Sequence, residues 1–261
     1  MPLVELRGQI IHYEDSGGPG RPLILGHEFL LDSRMFDPQV LVLSPEFRVI
    51  RWDARALGRT QWDGKPFSLW DSAEDCIALM DYLGIEQAVV GGLSLGGHCA
   101  LRAALLYPER VKALVLMGTR ATREDAQQRD IYMDMAKIWS SEGPIEPLLH
   151  ILASSLFGEP QRFKHWFGRW RMLTGAHFLA SSRCLVERDD ISKHLKDIHC
   201  PSITFHGLED LSVAPSQGEL LHLMLPGSTG FVPIPGAAHA ANLTHPEILT
   251  PPLLEFLRAH A

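Results

Sequence analysis

Apolar and polar positions follow two rhythms along this chain. Short apolar runs, rich in β-branched residues, occur at 22–25, 47–52, 87–91, 111–116, 201–205 and 231–234 and predict buried strands. Between them lie longer stretches with helical periodicity. Over 69–83, Ala73, Cys76, Ile77, Met80 and Leu83 recur at three- and four-residue steps, with Asp71, Glu74, Asp75 and Asp81 as the charged positions. Further helices are predicted at 33–43, 98–107, 216–225 and 246–259, the second stopped by Pro108. Residues 3–13 read as two strands joined by a turn at Arg7-Gly8. Strands alternating with helices predict an α/β fold, a mainly parallel sheet covered on both faces.

The alternation stops between about 119 and 196. That segment has no convincing strand, and Trp139, Phe157, Phe163, Trp166, Phe167, Trp170, Met172 and Phe178 are spread among its charges. Such a pattern suits a small helical unit with its own aromatic core.

The most informative stretch is Gly92-Leu93-Ser94-Leu95-Gly96-Gly97, which stands between a predicted strand and a predicted helix. A serine on that strand-to-helix turn, flanked by glycines, is a nucleophile elbow: the turn is sharp and strained, and residues with side chains would collide beside it. The strain costs roughly 1–3 kcal/mol and persists only if the fold enforces it. A serine hydroxyl is a poor nucleophile at neutral pH and needs a base within hydrogen-bond reach. Two later strands lead into candidate partners. One runs into His206-Gly207-Leu208-Glu209-Asp210, the other into Pro235-Gly236-Ala237-Ala238-His239. The small residues around His239 leave its imidazole room to reach the serine. His245 reads as the start of the last helix, His206 as a packed or hydrogen-bonded residue at a strand end, and His98 as structural. Ser94 is thus the candidate nucleophile, His239 the base and Asp210 the acid that orients it, with Glu209 a solvated neighbour.

The order serine, aspartate, histidine and the elbow together resemble the α/β-hydrolase superfamily over essentially the whole chain. The phrases Phe47-Arg48-Val49-Ile50-Arg51-Trp52-Asp53-Ala54-Arg55 and Gly92-Leu93-Ser94-Leu95-Gly96-Gly97 look most like small-molecule esterases and 3-oxoadipate enol-lactonase-like hydrolases. The resemblance implies a hydrolase core over 1–118 and 197–261 and a helical cap over 119–196. It implies an apolar pocket under the cap, to which Trp139, Trp166, Phe167 and Trp170 are candidate contributors. An enol-lactone substrate carries a free carboxylate, so that reading also needs a basic side chain in the cleft, with Arg120, Arg169 and Arg171 as candidates. The oxyanion hole should use the backbone N–H groups of Leu95 and of Phe29, in the loop after the early buried strand.

Two positions depart from the superfamily pattern. Glu28 stands where His-Gly-aromatic is usual, and Ala56 where Asp-x-Arg-Gly is usual. A carboxylate roughly 6 Å from a developing oxyanion, at an effective dielectric of about 20, costs on the order of 3 kcal/mol. Glu28 must therefore point away, be paired with an arginine, or be protonated; at the cleft wall it would handle a polar part of the substrate.

Composition narrows the alternatives. The 261 residues are 46% hydrophobic and 21% charged, with a formal charge of −7 and no basic run, which disfavours a nucleic-acid partner. Cys76, Cys99, Cys184 and Cys200 are scattered without metal or redox spacing, as in reduced thiols of a cytoplasmic protein. Met1 to Leu6 carries no secretory pattern, and no apolar run reaches the roughly 20 residues of a membrane span. No metal, phosphate or nicotinamide site is visible, and no cofactor is expected. The expectation is a hydrolase of a small ester or lactone working through an acyl-enzyme. A hydrolase of carbon–carbon bonds in vinylogous ketones would use the same three residues, and a slow-turnover receptor would keep the pocket. Haloalkane dehalogenases and epoxide hydrolases place a carboxylate where this chain has Ser94.

Overall fold

The computed structural model describes residues 2–261, the side chains of Pro160 and Arg162 excepted. Met1, part of the stretch read for a leader, lies outside them. In chain order the elements are β1 (Leu3–Leu6), β2 (Gln9–Asp15), β3 (Arg21–Gly26), α1 (Asp37–Leu43), β4 (Phe47–Trp52), α2 (Leu69–Tyr82), β5 (Ala88–Leu93), α3 (Leu95–Leu106) and β6 (Val111–Met117). Then come α4 (Ala126–Glu142), α5 (Glu146–Phe157), α6 (His165–Trp170), α7 (Gly175–Val186), β7 (Ser202–Gly207), α8 (Pro215–Met224), β8 (Ser228–Ile234), α9 (Ala241–Thr244) and α10 (Pro246–His260). No helix among the described residues is long and apolar enough to cross a membrane.

The eight strands form one sheet in the order β1-β2-β4-β3-β5-β6-β7-β8. The pairs β1–β2 and β2–β4 are antiparallel, and every pair from β4 to β8 is parallel. The strands at the centre are buried on both faces, which is why β5 and β6 read as continuous apolar runs. From β3 the chain moves outward to β4, and from β5 it moves the other way to β6. The crevice between the C-terminal ends of β3 and β5 is therefore the topological switch point, where open α/β sheets bind ligands. Gly26 and Gly92 are register partners there, so the loop after β3 and the turn after β5 leave the sheet side by side.

Helix α2 begins with a reciprocal cap, Ser68 accepting from the Asp71 N–H while the Asp71 carboxylate accepts from the Ser68 N–H. Its apolar stripe is buried as expected, but Asp75 differs from the surface position its sequence context suggests. It is fully buried, with its carboxylate gripped by Arg55 Nε at 2.5 Å and Nη2 at 2.8 Å. A partner twenty residues away in the β4 loop makes that burial tolerable, and helical periodicity carries no trace of it. Asp189 likewise is more than a loop carboxylate: it accepts from the fully buried Arg102 at 2.6 Å and from Trp70 Nε1 at 3.2 Å.

Between β6 and β7 the chain forms only helices, α4 to α7 with short 3-10 turns. Helices α4 and α7 pack together through Trp139, which stacks on Phe178 at 4.3 Å between ring centroids. Phe178 in turn meets the edge of Phe29 at 5.3 Å, tying this helical unit to the loop after β3.

Candidate active site

Ser94 sits at φ 49°, ψ −103°, in the left-handed region that L side chains rarely adopt. Its N–H donates to Met117 O at 2.9 Å, and its carbonyl accepts the His98 N–H at 2.8 Å as α3 begins. The turn fits only because glycine follows: a Cβ on Gly96 would lie 1.9 Å from the Gly26 carbonyl oxygen. Strand β3 and helix α3 thus pass at backbone contact, and Ser94 is held at the positive end of α3 with 6% of its surface exposed.

His239 lies in the loop after β8, 2% exposed. Its Nδ1 is 2.7 Å from Asp210 Oδ2. Its ring packs against Gly118, where a Cβ would stand 3.1 Å from His239 Cε1. Gly118 follows Met117, the residue that receives the Ser94 N–H, so the imidazole and the serine occupy adjoining strand ends. Asp210 is also bonded by the Ser212 and Val213 N–H groups, at 2.8 and 2.9 Å on Oδ1. Burial alone would raise its pKa. The His239 charge and the hydrogen bonds from His206, His239 and Val213 outweigh burial and hold the carboxyl well below the usual carboxylate range. For His239, burial opposes the charged ring, but Asp210 outweighs it and raises the imidazole above its ordinary value. Glu209, the neighbouring acid, is exposed.

His206 belongs to this group as well. It is fully buried, and its Nε2 is 2.9 Å from Val213 O and 3.2 Å from Asp210 Oδ2. Both are acceptors, so Nε2 carries the proton. The sequence reads His206 as a packed or hydrogen-bonded residue at a strand end, and it is both. That it points at Asp210 four residues on depends on the turn between them.

The loop after β3 is pinned from behind. Ala54 N–H donates to His27 Nε2 at 2.9 Å, so the His27 proton is on Nδ1, which donates to Glu28 O at 2.6 Å. Leu31 N–H reaches the same carbonyl at 3.1 Å. In a trans peptide the N–H lies opposite the carbonyl, so the Phe29 N–H is turned away from His27. Gly96 N–H donates to His27 O at 3.0 Å, fixing this loop to the first turn of α3, where the Leu95 N–H has no intrahelical partner. Behind Ala54, Asp53 accepts from Ser33 N–H and Arg59 N–H at 2.8 and 2.9 Å. Ala56 adopts φ 60° in this loop, keeping the glycine-like conformation without the glycine.

Glu28 is turned into the protein rather than toward solvent. It is 4% exposed, and its Oε2 accepts the Leu30 N–H at 2.7 Å, within reach of the Phe29 N–H. Burial raises its pKa, against the opposing pull of His239 and the Leu30 N–H. Tyr132, from α4, stands close by, its phenol pushed up to about 12 by burial and by the Glu28 charge.

A cationic group flanks the same space. Arg188 Nη2 donates to Glu124 Oε1 at 2.8 Å, and Arg120 contacts the other oxygen of Glu124. Arg188 also donates to Leu185 O and Thr122 O, so it staples the segment after β6 to the end of α7. The Arg120 side chain is 12% exposed, with its Nε buried and without an acceptor among the described residues. Burial and the Arg188 charge lower it to about 10, while Tyr132 and Asp210 lie near enough to oppose this. Two guanidinium groups share the Glu124 carboxylate, with Asp125 and Asp210 the other anions near Arg120. Neither the pairing of Arg120 with Glu124 nor the contribution of Arg188, 64 residues from Glu124, was read from the sequence.

The aromatic candidates divide. Trp139 lies in the core between α4 and α7, its Nε1 donating to Leu173 O at 2.8 Å. Trp170 Nε1 donates to Leu30 O at 2.6 Å, and Trp166 carries the Arg169 guanidinium 4.3 Å above its ring. Trp166, Trp170 and Arg169 line a cavity of about 360 Å³ with Leu30, Asp32 and Arg34. Its lining includes neither Ser94 nor His239, so it is distinct from the apolar pocket expected over the elbow. Arg171 pairs instead with Glu146.

The chain matches the family model described as the α/β-hydrolase fold over residues 21–164. It is 29% identical to the RutD protein of Caulobacter vibrioides, named for carbamate hydrolysis, over 95% of both chains. Among solved structures it superposes on a thermophilic esterase from Thermogutta terrifontis with a TM-score of 0.86 and 29% identity, covering 98% of this chain and 96% of that one. The enol-lactonase from Burkholderia xenovorans gives a TM-score of 0.88 and 25% identity, with 98% and 100% covered. Sheet order, elbow geometry and these likenesses agree, and the chain belongs to the α/β-hydrolase fold family.

Proposed function

We propose that this hydrolase cleaves a small-molecule carboxylic ester or lactone through an acyl-enzyme. Ser94 Oγ attacks the carbonyl carbon while His239 Nε2 takes its proton. The C=O electron pair moves onto oxygen, facing the N–H groups of Phe29 and Leu95. Collapse expels the alcohol oxygen, which receives the proton from His239. Water then repeats the sequence on the acyl-serine, with His239 again the base, and releases the acid. Asp210 holds the imidazole by Nδ1, leaving Nε2 for the serine. The observation that carries the reading is the 2.7 Å contact between His239 Nδ1 and Asp210 Oδ2, with the ring packed on Gly118 beside the strained Ser94.

We take 119–196 as the cap over this site, its helices reaching it through Tyr132 and Trp170. The mostly buried Arg120 guanidinium, with its Nε unbonded among the described residues, supports a substrate with an anionic group, as the enol-lactonase likeness suggests. The RutD likeness makes carbamate esters worth including among substrates. The test is hydrolysis of a panel of neutral esters, carboxylate-bearing esters, lactones and carbamates by wild type and Ser94→Ala. Wild type should turn over members of the panel, and the variant, still folded, should lose several orders of magnitude. Equal rates in the two would reject the reading.

A further inference from the structure

The cavity of about 360 Å³ between α6 and the loops after β3 and β4 has no part in the chemistry proposed above. Leu30, Leu31, Leu57, Trp166, Trp170 and Met172 give it apolar walls. Its size and its mixture of apolar walls with a few polar groups are those of a small-molecule site. It adjoins the loop that carries Phe29, because Leu30 O at its rim is held by Trp170 Nε1 at 2.6 Å.

The polar groups around the cavity are unequal. The oxygen acceptors on the side chains that line it are already in use. Asp32 Oδ1 receives the Arg34 N–H at 3.1 Å and Nε at 2.8 Å, and Oδ2 receives Nη2. Thr60 Oγ1 accepts the His12 N–H at 3.0 Å, and Thr174 Oγ1 pairs with His177 Nδ1 at 2.7 Å. A strong donor is left over. The half-buried Arg169 side chain makes no hydrogen bond or ion pair among the described residues. Its guanidinium stands 4.3 Å above the Trp166 ring, a contact that steadies it and consumes none of its N–H groups. The charges that face it are Asp32, Asp37, Arg34 and Arg59. Asp32 is held by Arg34 and Asp37 by Arg51, while Arg59 pairs with Glu14 and Asp53. No carboxylate of this group pairs with Arg169.

We propose that this cavity binds a small aromatic carboxylate, separately from the substrate at Ser94. The planar carboxylate accepts from the Arg169 fork, and the ring lies against Trp170 and Leu57. A carboxylate brings acceptors alone, which suits a cavity whose own side-chain oxygens are taken. A neutral amide would bring donors for which no side-chain oxygen there is free. The proposal concerns binding and does not depend on the hydrolase reading.

The test is calorimetric titration of the full chain with benzoate, and with benzamide as the neutral analogue of the same shape, at fixed salt. Wild type, Arg169→Gln and Arg120→Gln are compared, with melting curves to confirm folding. Benzoate should bind wild type saturably at one site, and benzamide about tenfold or more weakly. Arg169→Gln should weaken benzoate by about tenfold or more, the effect of losing a charge-assisted hydrogen bond. Arg120→Gln, which alters the cation near Asp210, should leave benzoate binding unchanged. Equal binding of benzoate and benzamide, or no saturable binding of benzoate, would overturn the proposal on wild type alone, whether or not a variant folds. Unchanged affinity in folded Arg169→Gln would overturn it too. Loss of binding in Arg120→Gln would move the carboxylate to the Ser94 site and overturn the separate cavity site.

Discussion

His206 Nε2 lies 3.2 Å from Asp210 Oδ2, on the same carboxylate oxygen that receives His239 at 2.7 Å. The two imidazoles therefore compete for one acceptor. A hydrogen bond from His206 stabilises the Asp210 anion and weakens its hold on a charged His239. Removing it with His206→Phe should strengthen the Asp210–His239 pairing and raise the His239 pKa further. Because His239 must be neutral to act as base, the acid limb of kcat/KM should move to higher pH, with a loss of about three- to tenfold at neutral pH, the scale of one hydrogen bond of roughly 1 kcal/mol. A merely structural residue would lower the amount of active enzyme and leave the limb in place.

Glu28 should also leave its mark on stability. Its folded-state pKa is raised above the ordinary 4.5, so the folded protein holds that proton more tightly than the unfolded chain. Stability from this group is fully present below the unfolded value and is lost as pH rises through the folded one. Glu28→Gln should melt close to wild type in mild acid and above it at alkaline pH, by the equivalent of about 1–3 kcal/mol, the usual cost of an unpaired buried polar group. Thermal unfolding of both proteins across pH checks this, and a constant difference would contradict it.

Arg120 offers a charge without a full complement of acceptors. If it receives an anionic group of the substrate, Arg120→Gln should raise KM about tenfold or more for carboxylate-bearing esters, the scale of a charge-assisted hydrogen bond worth about 1.5–3 kcal/mol. Neutral esters of the same size should change less than about threefold. Steady-state kinetics on a matched pair decides it, and equal losses on both would assign Arg120 to packing.

Much of this was legible before the fold. Strands showed themselves because the parallel sheet is buried on both faces, and the elbow because Gly96 must pass at contact distance from Gly26. The partners of Ser94 were found because each follows a strand. What stayed hidden depends on pairs far apart in sequence. Asp75 looked like a surface position until Arg55 was seen beside it. Arg188 reaches Glu124 across 64 residues. The direction of the Glu28 side chain is set by local backbone turns that apolar periodicity does not encode. The sequence divides the cap aromatics between a cap core and the cleft but puts Trp139 on the cleft side, whereas it stacks on Phe178 in the cap core and Trp170 ties the cap to Leu30. Composition alone does not separate these uses.

The most direct test of the central claim is the site of covalent capture. Intact-protein and peptide mass analysis after incubation with a phosphonate ester should show one adduct, on Ser94, formed at a rate that falls on the order of 10⁴-fold in Asp210→Asn, where the imidazole loses its orienting carboxylate. Labelling at another residue, or turnover of esters by a Ser94→Ala protein that takes no label, would contradict the account.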